Sequence, residues 1–294
     1  MEESSPQSYR FVDTTLSRVP SIGQSLSKAV AELEPVSDTP RLEAEVLLAH
    51  VLDIPRTSVI AYPERVLAEG QLVRYRQLVE ERATDYPLPY LLGRSEFFGL
   101  SLEVTPEVLI PRPETESLVE LALAREPASV VDVGTGSGCI AIVLAAQLSQ
   151  VELTAIDISP AALSVARRNA EAHEVDDRIR FVVGDVLTPR PHPVDLIVSN
   201  PPYISSTACA SLQASIRDHE PRLALDGGAN GLTIIQRLLD QAPAVLKSGG
   251  ALLIEIGADQ SEPASHLAQI AFPEAAVRVH PDLAGRDRVL EIQT

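Results

Sequence analysis

The sequence is poor in cysteine and has no long apolar run, and both shortages exclude classes of protein. Cys139 and Cys209 are the only cysteines among 294 residues. Two distant cysteines cannot build a disulfide framework or a cysteine-based zinc site, so we expect reduced structural thiols. No apolar run approaches the roughly 18–20 residues that span a bilayer, and the polar, acidic start does not resemble a signal peptide. We therefore expect a cytoplasmic protein with no membrane partner.

Basic residues are also scarce. The chain has 24 Lys and Arg against 41 Asp and Glu, a formal net charge of −17. A protein that binds duplex nucleic acid usually presents a basic face. The charge therefore favours a small molecule or a protein as the partner, and we expect no direct contact with nucleic acid. The six histidines lack the spacing typical of metal ligands, so no metal site is predicted.

The spacing of apolar residues divides the chain into four segments. Residues 1–20 are polar, without clear periodicity, and are interpreted as a flexible extension. Residues 21–90 repeat apolar residues at helical spacing, which predicts a bundle of four or five helices that serves as a scaffold or a substrate-recognition domain. Residues 91–112 indicate a short β-hairpin and a proline-stiffened linker. Residues 113–294 alternate apolar strands with helices.

The last segment predicts an α/β fold of the Rossmann-like kind with seven strands. Apolar strands separated by helices are typical of a parallel sheet with both faces covered. No helix-length segment separates the last two strands, so we expect them to pair as an antiparallel hairpin at one edge. The predicted strands are residues 129–133, 152–157, 178–184, 195–200, 251–257, 275–280 and 288–292. The predicted helices are residues 138–148, 160–171, 231–246 and 259–271.

A glycine-rich loop follows the first of these strands, in "VVDVGTGSGCIAI". Glycines at such a turn let the backbone approach a ligand closely, and the following helix N-terminus offers free N–H groups. Asp157 ends the next strand, where a carboxylate can accept hydrogen bonds from both hydroxyls of a ribose. A dinucleotide fingerprint has the form G-x-G-x-x-G, whereas Gly134, Gly136 and Gly138 are spaced one residue tighter. The loop therefore disfavours a dinucleotide.

A second motif, "SNPPYI", follows the apolar run "DLIV". Two adjacent prolines cannot continue a central strand, because each lacks the N–H that the ladder needs. Asn200 offers a side-chain acceptor, and the carbonyl of Pro201 offers a second, rigidly held one. Two acceptors aimed at one point suit a planar –NH2 group, and Tyr203 can stack on the flat system that carries it. Asn200, Pro201, Pro202 and Tyr203 are therefore the predicted catalytic and substrate-binding residues for an amide or an exocyclic amine.

The tight D-x-G-x-G-x-G loop resembles the signature of S-adenosylmethionine-dependent methyltransferases. The resemblance implies S-adenosyl-L-methionine as the cofactor and S-adenosyl-L-homocysteine as its product. It implies that Asp132 lies near the methionine ammonium, that Asp185 accepts from the adenine amine and that Val186 packs on the base. The predicted cofactor-binding residues are Asp132, Gly134, Thr135, Gly136, Ser137, Gly138, Asp157, Ile158, Asp185, Val186 and Asn200.

Longer stretches resemble the PrmC (HemK) family of protein-(glutamine-N5) methyltransferases. They are "PRLEAEVLLAHVL", "LIPRPETESLVE", "AIDISPAALSVARRNA", "DLIVSNPPYI", "HEPRLALDGGANGL" and "LAGRDRVLEI", and the resemblance runs from about residue 21 to residue 294. It implies a class I methyltransferase domain over residues 113–294. It also implies a substrate, the glutamine in the Gly-Gly-Gln motif of class I peptide chain release factors, gripped by the residues from Asn200 to Tyr203. We expect the protein to be a monomer.

Other interpretations stay open. An adenine amino-methyltransferase acting on DNA or RNA uses the same N-P-P-Y turn, although it must flip its base and normally carries a basic recognition region. A non-catalytic protein could keep the cofactor fold without transfer, and a nicotinamide dehydrogenase would need the longer glycine pattern. Arg112 and Glu114, in the linker and just after it, are candidate substrate-binding residues that either line a substrate groove or brace the domain junction.

Overall fold

The computed structural model describes residues 19–189 and 191–294. The chain forms two compact units that divide between Asp85 and Tyr86. The predicted extension of residues 1–20 lies outside the described residues, apart from its last two. The predicted limits of the helical domain, the linker and the methyltransferase domain stay predictions.

The first unit consists of helices. They are α1 (Ile22–Leu33), α2 (Pro40–Leu52), α3 (Arg56–Ala61) and α4 (Glu69–Arg82). At the start of α1, the Ser21 hydroxyl accepts from the Gln24 N–H, while the Gln24 side chain accepts from the Ser21 N–H. This reciprocal capping box satisfies two backbone donors that the helix itself cannot pair. In the interior, the buried Tyr75 hydroxyl donates to the Ala44 carbonyl at 3.0 Å and so ties α4 to α2.

The second unit contains a two-stranded hairpin and a seven-stranded sheet, which confirms the predicted α/β fold. The hairpin pairs β1 (Arg94–Phe97) with β2 (Leu100–Glu103). The sheet strands are β3 (Ser129–Val133), β4 (Glu152–Asp157), β5 (Ile179–Val183), β6 (Val194–Ser199), β7 (Leu246–Glu255), β8 (Ala276–Pro281) and β9 (Asp287–Gln293). Their order across the sheet is β5-β4-β3-β6-β7-β9-β8. The strands from β3 to β7 are parallel, and β9 is antiparallel to β7 and to the edge strand β8, as expected for the last two strands.

Helices cover both faces of this sheet. They are α6 (Glu116–Leu123), α7 (Cys139–Gln147), α8 (Pro160–Ala172), α11 (Thr233–Gln241) and α12 (Ser261–Ala271), and the second unit also contains the short helices α5 (Leu88–Leu92), α9 (Ser206–Cys209) and α10 (Ala214–Arg217). Neighbouring residues of β3 point to opposite faces, so Val130 packs in a core with α6 and α7, and Val131 packs in a core with α11 and α12. In the described part of the chain, no helix has the length and apolar character needed to cross a membrane.

One helix is shorter than predicted. The sequence predicts a helix over residues 231–246, but α11 is followed by a 3-10 turn (Ala242–Ala244), and β7 already begins at Leu246 rather than at residue 251. Pro243 has no N–H and its ring clashes with the preceding turn, so an α-helix cannot continue through it. Local chemistry therefore ends the helix where apolar periodicity alone would extend it.

The strand order places the two sequence motifs side by side, at the carboxyl ends of neighbouring strands. Strands β3 to β5 extend to one side and β6 and β7 to the other, so the order reverses between β3 and β6. In open α/β sheets, the ligand crevice lies at such a reversal, outside the carboxyl ends of the strands. The glycine loop follows β3, Asp157 ends β4 and Asn200 follows β6. The fold therefore brings the glycine loop and the N-P-P-Y turn together.

Candidate active site

Two neighbouring cavities lie at the carboxyl ends of the parallel strands. The larger, of about 400 Å³, is lined by the glycine loop, and we call it the glycine-loop cavity. The smaller, of about 260 Å³, is lined by Tyr203, and we call it the tyrosine cavity. Asn200 and Pro201 line both, and a Cβ atom on Gly134 would lie 3.9 Å from the Asn200 carbonyl oxygen. Asn200 and Pro201 therefore stand where the two cavities adjoin.

Most of the predicted cofactor-binding residues line the glycine-loop cavity. Asp132 and Gly138 do not line it, because Asp132 is fully buried and Gly138 packs against Ile142 and Ala166. The predicted residues that line the cavity are Gly134, Thr135, Gly136, Ser137, Asp157, Ile158, Asp185, Val186 and Asn200.

The glycine loop is tied to the end of β4. The N–H groups of Gly134 and Thr135 both donate to the Ile156 carbonyl, at 2.8 and 3.0 Å. The next N–H group, that of Gly136, donates to Asp157 Oδ2 at 2.8 Å. Left-handed backbone at Gly134 and Gly136 makes this tight path possible. The loop therefore has one fixed shape around the cavity.

Asp157 is buried and hydrogen-bonded by backbone on both oxygens. Oδ2 accepts from Gly136, and Oδ1 accepts from the Ser159 N–H at 2.9 Å. Burial raises the pKa of the Asp157 carboxyl, and these backbone donors oppose the rise. A carboxylate has about four acceptor positions, so Asp157 retains capacity for the two hydroxyls of a ribose.

Asp132 is a buried carboxylate with an unpaired oxygen. Its Oδ2 accepts from Thr135 Oγ1 at 2.6 Å, while its Oδ1 has no hydrogen-bond partner among the described residues. Burial, and then the charge of Asp157, raise the pKa of Asp132 to about 7, against the opposing hydrogen bonds from the Thr135 hydroxyl and, more weakly, from the Ala141 backbone N–H. A buried unpaired carboxylate oxygen is costly. Its chain neighbour Val133 and its partner Thr135 line the cavity, so the carboxylate lies directly behind the cavity wall.

The segment that follows β5 forms another part of the wall of the glycine-loop cavity. Asp185 is half-exposed, and one of its carboxylate oxygens accepts from the Arg237 guanidinium. Val186 is buried and has a positive φ of 54°, a conformation that is strained for a β-branched residue. The strained turn leaves both Asp185 and Val186 on the cavity wall. Arg237 was not predicted, and it shares Asp185 with any amine bound there.

The N-P-P-Y turn is held by a chain of hydrogen bonds that ends on a buried carboxylate. Asn200 Nδ2 donates to Thr115 Oγ1 at 3.1 Å. Thr115 Oγ1 donates to Glu255 Oε2 at 2.6 Å, and the Tyr203 hydroxyl donates to Glu255 Oε1 at 3.2 Å. Glu255 is 1% exposed. One buried side chain therefore fixes both the amide and the phenol of the turn.

Arg112 and Glu114 both line the tyrosine cavity. The Arg112 guanidinium forms an ion pair with the buried Glu220 carboxylate, which also accepts from the Ile110 N–H at 3.2 Å. Arg112 thus lines the cavity and also braces its own segment within the second unit. Its two predicted roles, in a substrate groove or as a brace of the domain junction, stay predictions.

Four residues that hold this site were not predicted from the sequence, namely Thr115, Glu220, Arg237 and Glu255. Glu255 had a signal, because a lone carboxylate in the apolar run "ALLIEIG" is unusual in a buried strand. Thr115 and Glu220 lie in stretches that carry the family resemblance, but nothing local distinguishes them. For Arg237, helical spacing alone predicts an exposed side chain.

Replacement of Gly138 by Ala tests how tightly the glycine loop packs. Gly138 has a φ of 85°, and a Cβ there would lie 2.9 Å from Ile142 Cδ1 and 3.1 Å from Ala166 Cβ. We expect the free energy of unfolding, measured by urea denaturation, to fall by about 2–4 kcal/mol, from backbone strain and overpacking together. Gly285→Ala is the matched control, since Gly285 has a φ of 76° with no atom within 4 Å. Strain alone should cost it about 1 kcal/mol, and equal losses in both variants would contradict the packing argument.

Two models of known protein families match this chain, each over a different part. The model of the PrmC N-terminal domain matches residues 24–93. The model of the methyltransferase small domain matches residues 113–229, which include the glycine loop and the N-P-P-Y turn.

Known proteins resemble the chain over most of its length. The release factor glutamine methyltransferase of Moorella thermoacetica is 44% identical over 271 residues, covering 90% of this chain and 95% of that protein. That of Nitratidesulfovibrio vulgaris is 42% identical over 262 residues, covering 86% of this chain and 88% of that protein. A crystal structure of a methyltransferase from Pyrococcus furiosus aligns with a TM-score of 0.52 at 18% identity, covering 67% of this chain and 90% of the other. The last match supports the fold alone.

Proposed function

Since this chain belongs to the release factor glutamine methyltransferase family, we propose that it transfers a methyl group from S-adenosyl-L-methionine to a glutamine side-chain amide. The acceptor is the glutamine of the Gly-Gly-Gln motif in class I peptide chain release factors. The product of the donor is S-adenosyl-L-homocysteine.

The observation that carries this proposal is the position of Asn200 and Pro201, on the walls of both cavities. The amide oxygen of Asn200 and the carbonyl of Pro201 are two acceptors for the two protons of one –NH2 group. Pro202 stiffens the turn, and Tyr203 provides a ring for the planar amide to stack on. A glutamine amide held in this way faces the glycine-loop cavity.

The glycine-loop cavity fits S-adenosyl-L-methionine. The unpaired Oδ1 of Asp132 suits the methionine ammonium, Asp157 suits the ribose hydroxyls, and the segment after β5 suits the adenine. We assign the wall residues from Gly134 to Ser137, with Ile158, to cofactor contact, Asp185 to the adenine amine and Val186 to the ring face. When bound, this cofactor supplies an electrophilic methyl group on a positively charged sulfur.

The chemical task of the turn is to make a poor nucleophile react. An amide nitrogen is weakly nucleophilic because its lone pair is delocalised into the carbonyl. Two fixed acceptors can orient both N–H bonds so that the lone pair points toward the methyl group. Positioning of this kind contributes several kcal/mol, up to about 7–11 in model reactions. No strong base is required, because the sulfonium charge activates the methyl carbon and the amide proton can leave after transfer.

The remaining segments have roles that follow from the substrate. We assign residues 21–90 to recognition of the release factor, and Arg112 and Glu114 to the chain that flanks its glutamine. A monomeric, cytoplasmic enzyme without direct contact to nucleic acid fits a protein substrate that works in translation termination.

A transfer assay tests the proposal. The protein is incubated with S-adenosyl-L-methionine labelled on its methyl group and with one of three acceptors: a class I release factor, the same factor with the motif glutamine replaced by alanine, or duplex DNA. We expect label on the intact factor alone. Label on DNA favours the adenine methyltransferase, label on the alanine factor refutes the glutamine as acceptor, and cofactor binding without transfer identifies a non-catalytic protein.

A further inference from the structure

We infer that Thr115 and Glu255 set the polarity of the Asn200 side-chain amide, and that they thereby make the site select an amide over a carboxylate. This inference rests on the proposed function, which places a glutamine amide at Asn200. It assigns Thr115 and Glu255 as positioning residues, which act on the substrate through Asn200 and Tyr203.

The polarity follows from the single proton of a threonine hydroxyl. Thr115 Oγ1 lies 2.6 Å from Glu255 Oε2, and a charged carboxylate can only accept, so the hydroxyl proton points to Glu255. The lone pairs of Thr115 Oγ1 then remain for Asn200. Only the donor end of the amide fits against them, and Asn200 Nδ2 lies there at 3.1 Å.

The opposite end of the amide is left for the substrate. With Nδ2 on Thr115, the Asn200 Oδ1 is presented as an acceptor, which an –NH2 group needs and which a carboxylate oxygen repels. A flipped amide would set Oδ1 against the lone pairs of Thr115 and would present Nδ2, a donor that suits a carboxylate. Without the contact to Thr115, nothing in this hydrogen-bond chain favours one of these two orientations of the Asn200 amide over the other.

Glu255 is placed to keep this arrangement rigid. It ends β7, its side chain is buried, and its two oxygens accept from two different hydroxyls, those of Thr115 and Tyr203. Burial, with a smaller contribution from the charge of Glu114, raises the pKa of Glu255, and the Thr115 bond, the Arg288 guanidinium and the Tyr203 bond only partly oppose the rise. Each of its two oxygens is occupied by a hydroxyl donor, Thr115 on one and Tyr203 on the other, and this geometry directs the threonine proton toward Glu255.

Thr115 offers a matched pair of variants. Thr115→Val keeps the shape of this buried side chain and removes the hydroxyl, whereas Thr115→Ser keeps the hydroxyl and removes a methyl group. For each variant, two quantities are measured: kcat and KM for methyl transfer to the release factor, and the dissociation constants of two forms of that factor, with Gln or with Glu at the motif position.

Loss of the hydroxyl should change selectivity as well as rate. We expect Thr115→Val to lower kcat by about 10- to 100-fold, the range for an orphaned buried hydrogen bond, with little change in KM. Its binding preference for Gln over Glu should fall by at least about 5-fold, because the Asn200 amide is free to flip. Thr115→Ser should restore both quantities relative to Thr115→Val.

The selectivity ratio separates the inference from simple damage to the fold. Cofactor binding and the melting temperature report folding, and if Thr115→Val is unfolded, Glu255→Gln carries the test. Its side chain has one acceptor oxygen in place of two, so the Gln-to-Glu preference should again fall. An unchanged preference in a folded Thr115→Val or Glu255→Gln variant overturns the inference. If the wild-type protein does not methylate the Gln form, the proposed function itself fails.

Discussion

Asn200→Ala should abolish measurable methyl transfer to the release factor while leaving cofactor binding nearly intact. The substitution removes the side-chain acceptor that stands where the two cavities adjoin, and it leaves the Thr115 hydroxyl without its donor. Removal of one preorganised hydrogen-bonding group at a reacting centre typically costs about 10²- to 10³-fold in kcat. Single-turnover transfer of labelled methyl groups measures the loss.

Binding of S-adenosyl-L-homocysteine, measured by calorimetry, is the control for this variant. Most of the glycine-loop cavity wall is formed by other residues, such as Gly134, Asp157 and Asp185, so the dissociation constant should change by no more than about threefold. Retained turnover would refute the catalytic assignment of Asn200. A parallel loss of cofactor binding would assign Asn200 to the cofactor instead.

Asp132→Asn should weaken cofactor binding by about 10- to 100-fold. A hydrogen bond between charged groups contributes roughly 1.5–3 kcal/mol, and the variant removes the negative charge that we assign to the methionine ammonium. Asp177→Asn, at an exposed aspartate, makes the same change in net charge and should leave the affinity unchanged. Calorimetric titration with S-adenosyl-L-homocysteine compares the two.

The same variant should become more stable relative to the wild type as the pH rises. The pKa of Asp132 is raised from 3.8 to about 7, by burial first and by Asp157 among the smaller causes. The folded protein therefore holds this proton more tightly than the unfolded chain, and the resulting stability is present below pH 4 and is lost as the pH rises to 7. Because Asn cannot ionise, the free energy of unfolding of Asp132→Asn should gain on that of the wild type by up to about 4 kcal/mol across this window.

Urea denaturation at several pH values between about 4 and 8, without cofactor, measures this difference. Several other carboxyls shift with folding, and the comparison of variant with wild type cancels them. A stability difference that stays flat with pH, or an unchanged cofactor affinity, would contradict the assignment. We therefore expect the wild type to bind the cofactor more tightly than the variant and to be less stable at neutral pH, because its buried charge is costly in the absence of a bound cation.

The sequence predicts the fold and the two motifs well because their signals are local. Alternating apolar strands and helices gave all seven strands in order, and the glycine spacing and the two prolines each report a backbone constraint within a few residues. Even the antiparallel pairing of the last two strands followed from a missing helix. One helix was predicted too long, because the prediction followed the apolar pattern past Pro243, the local signal that ends the helix.

The support of the N-P-P-Y turn could not be predicted in the same way. Thr115 and Glu255 are 140 positions apart, and Asn200 is 85 positions from Thr115. Their contact depends on how β7 and the turn before α6 meet in space. A buried glutamate in an apolar strand shows that a partner exists, but the identity of that partner comes only from the folded chain.

The position of β9 bears on how the N-P-P-Y turn is supported. β9 follows every other described strand in the chain, yet it lies between β7 and β8. β7 and β8 are therefore synthesised before the strand that separates them in the folded sheet. Glu255 pairs with Val289 of β9 across this seam, so the carboxylate that orients Asn200 and Tyr203 is fixed only after β9 inserts. The support of the N-P-P-Y turn therefore depends on the last described strand of the chain.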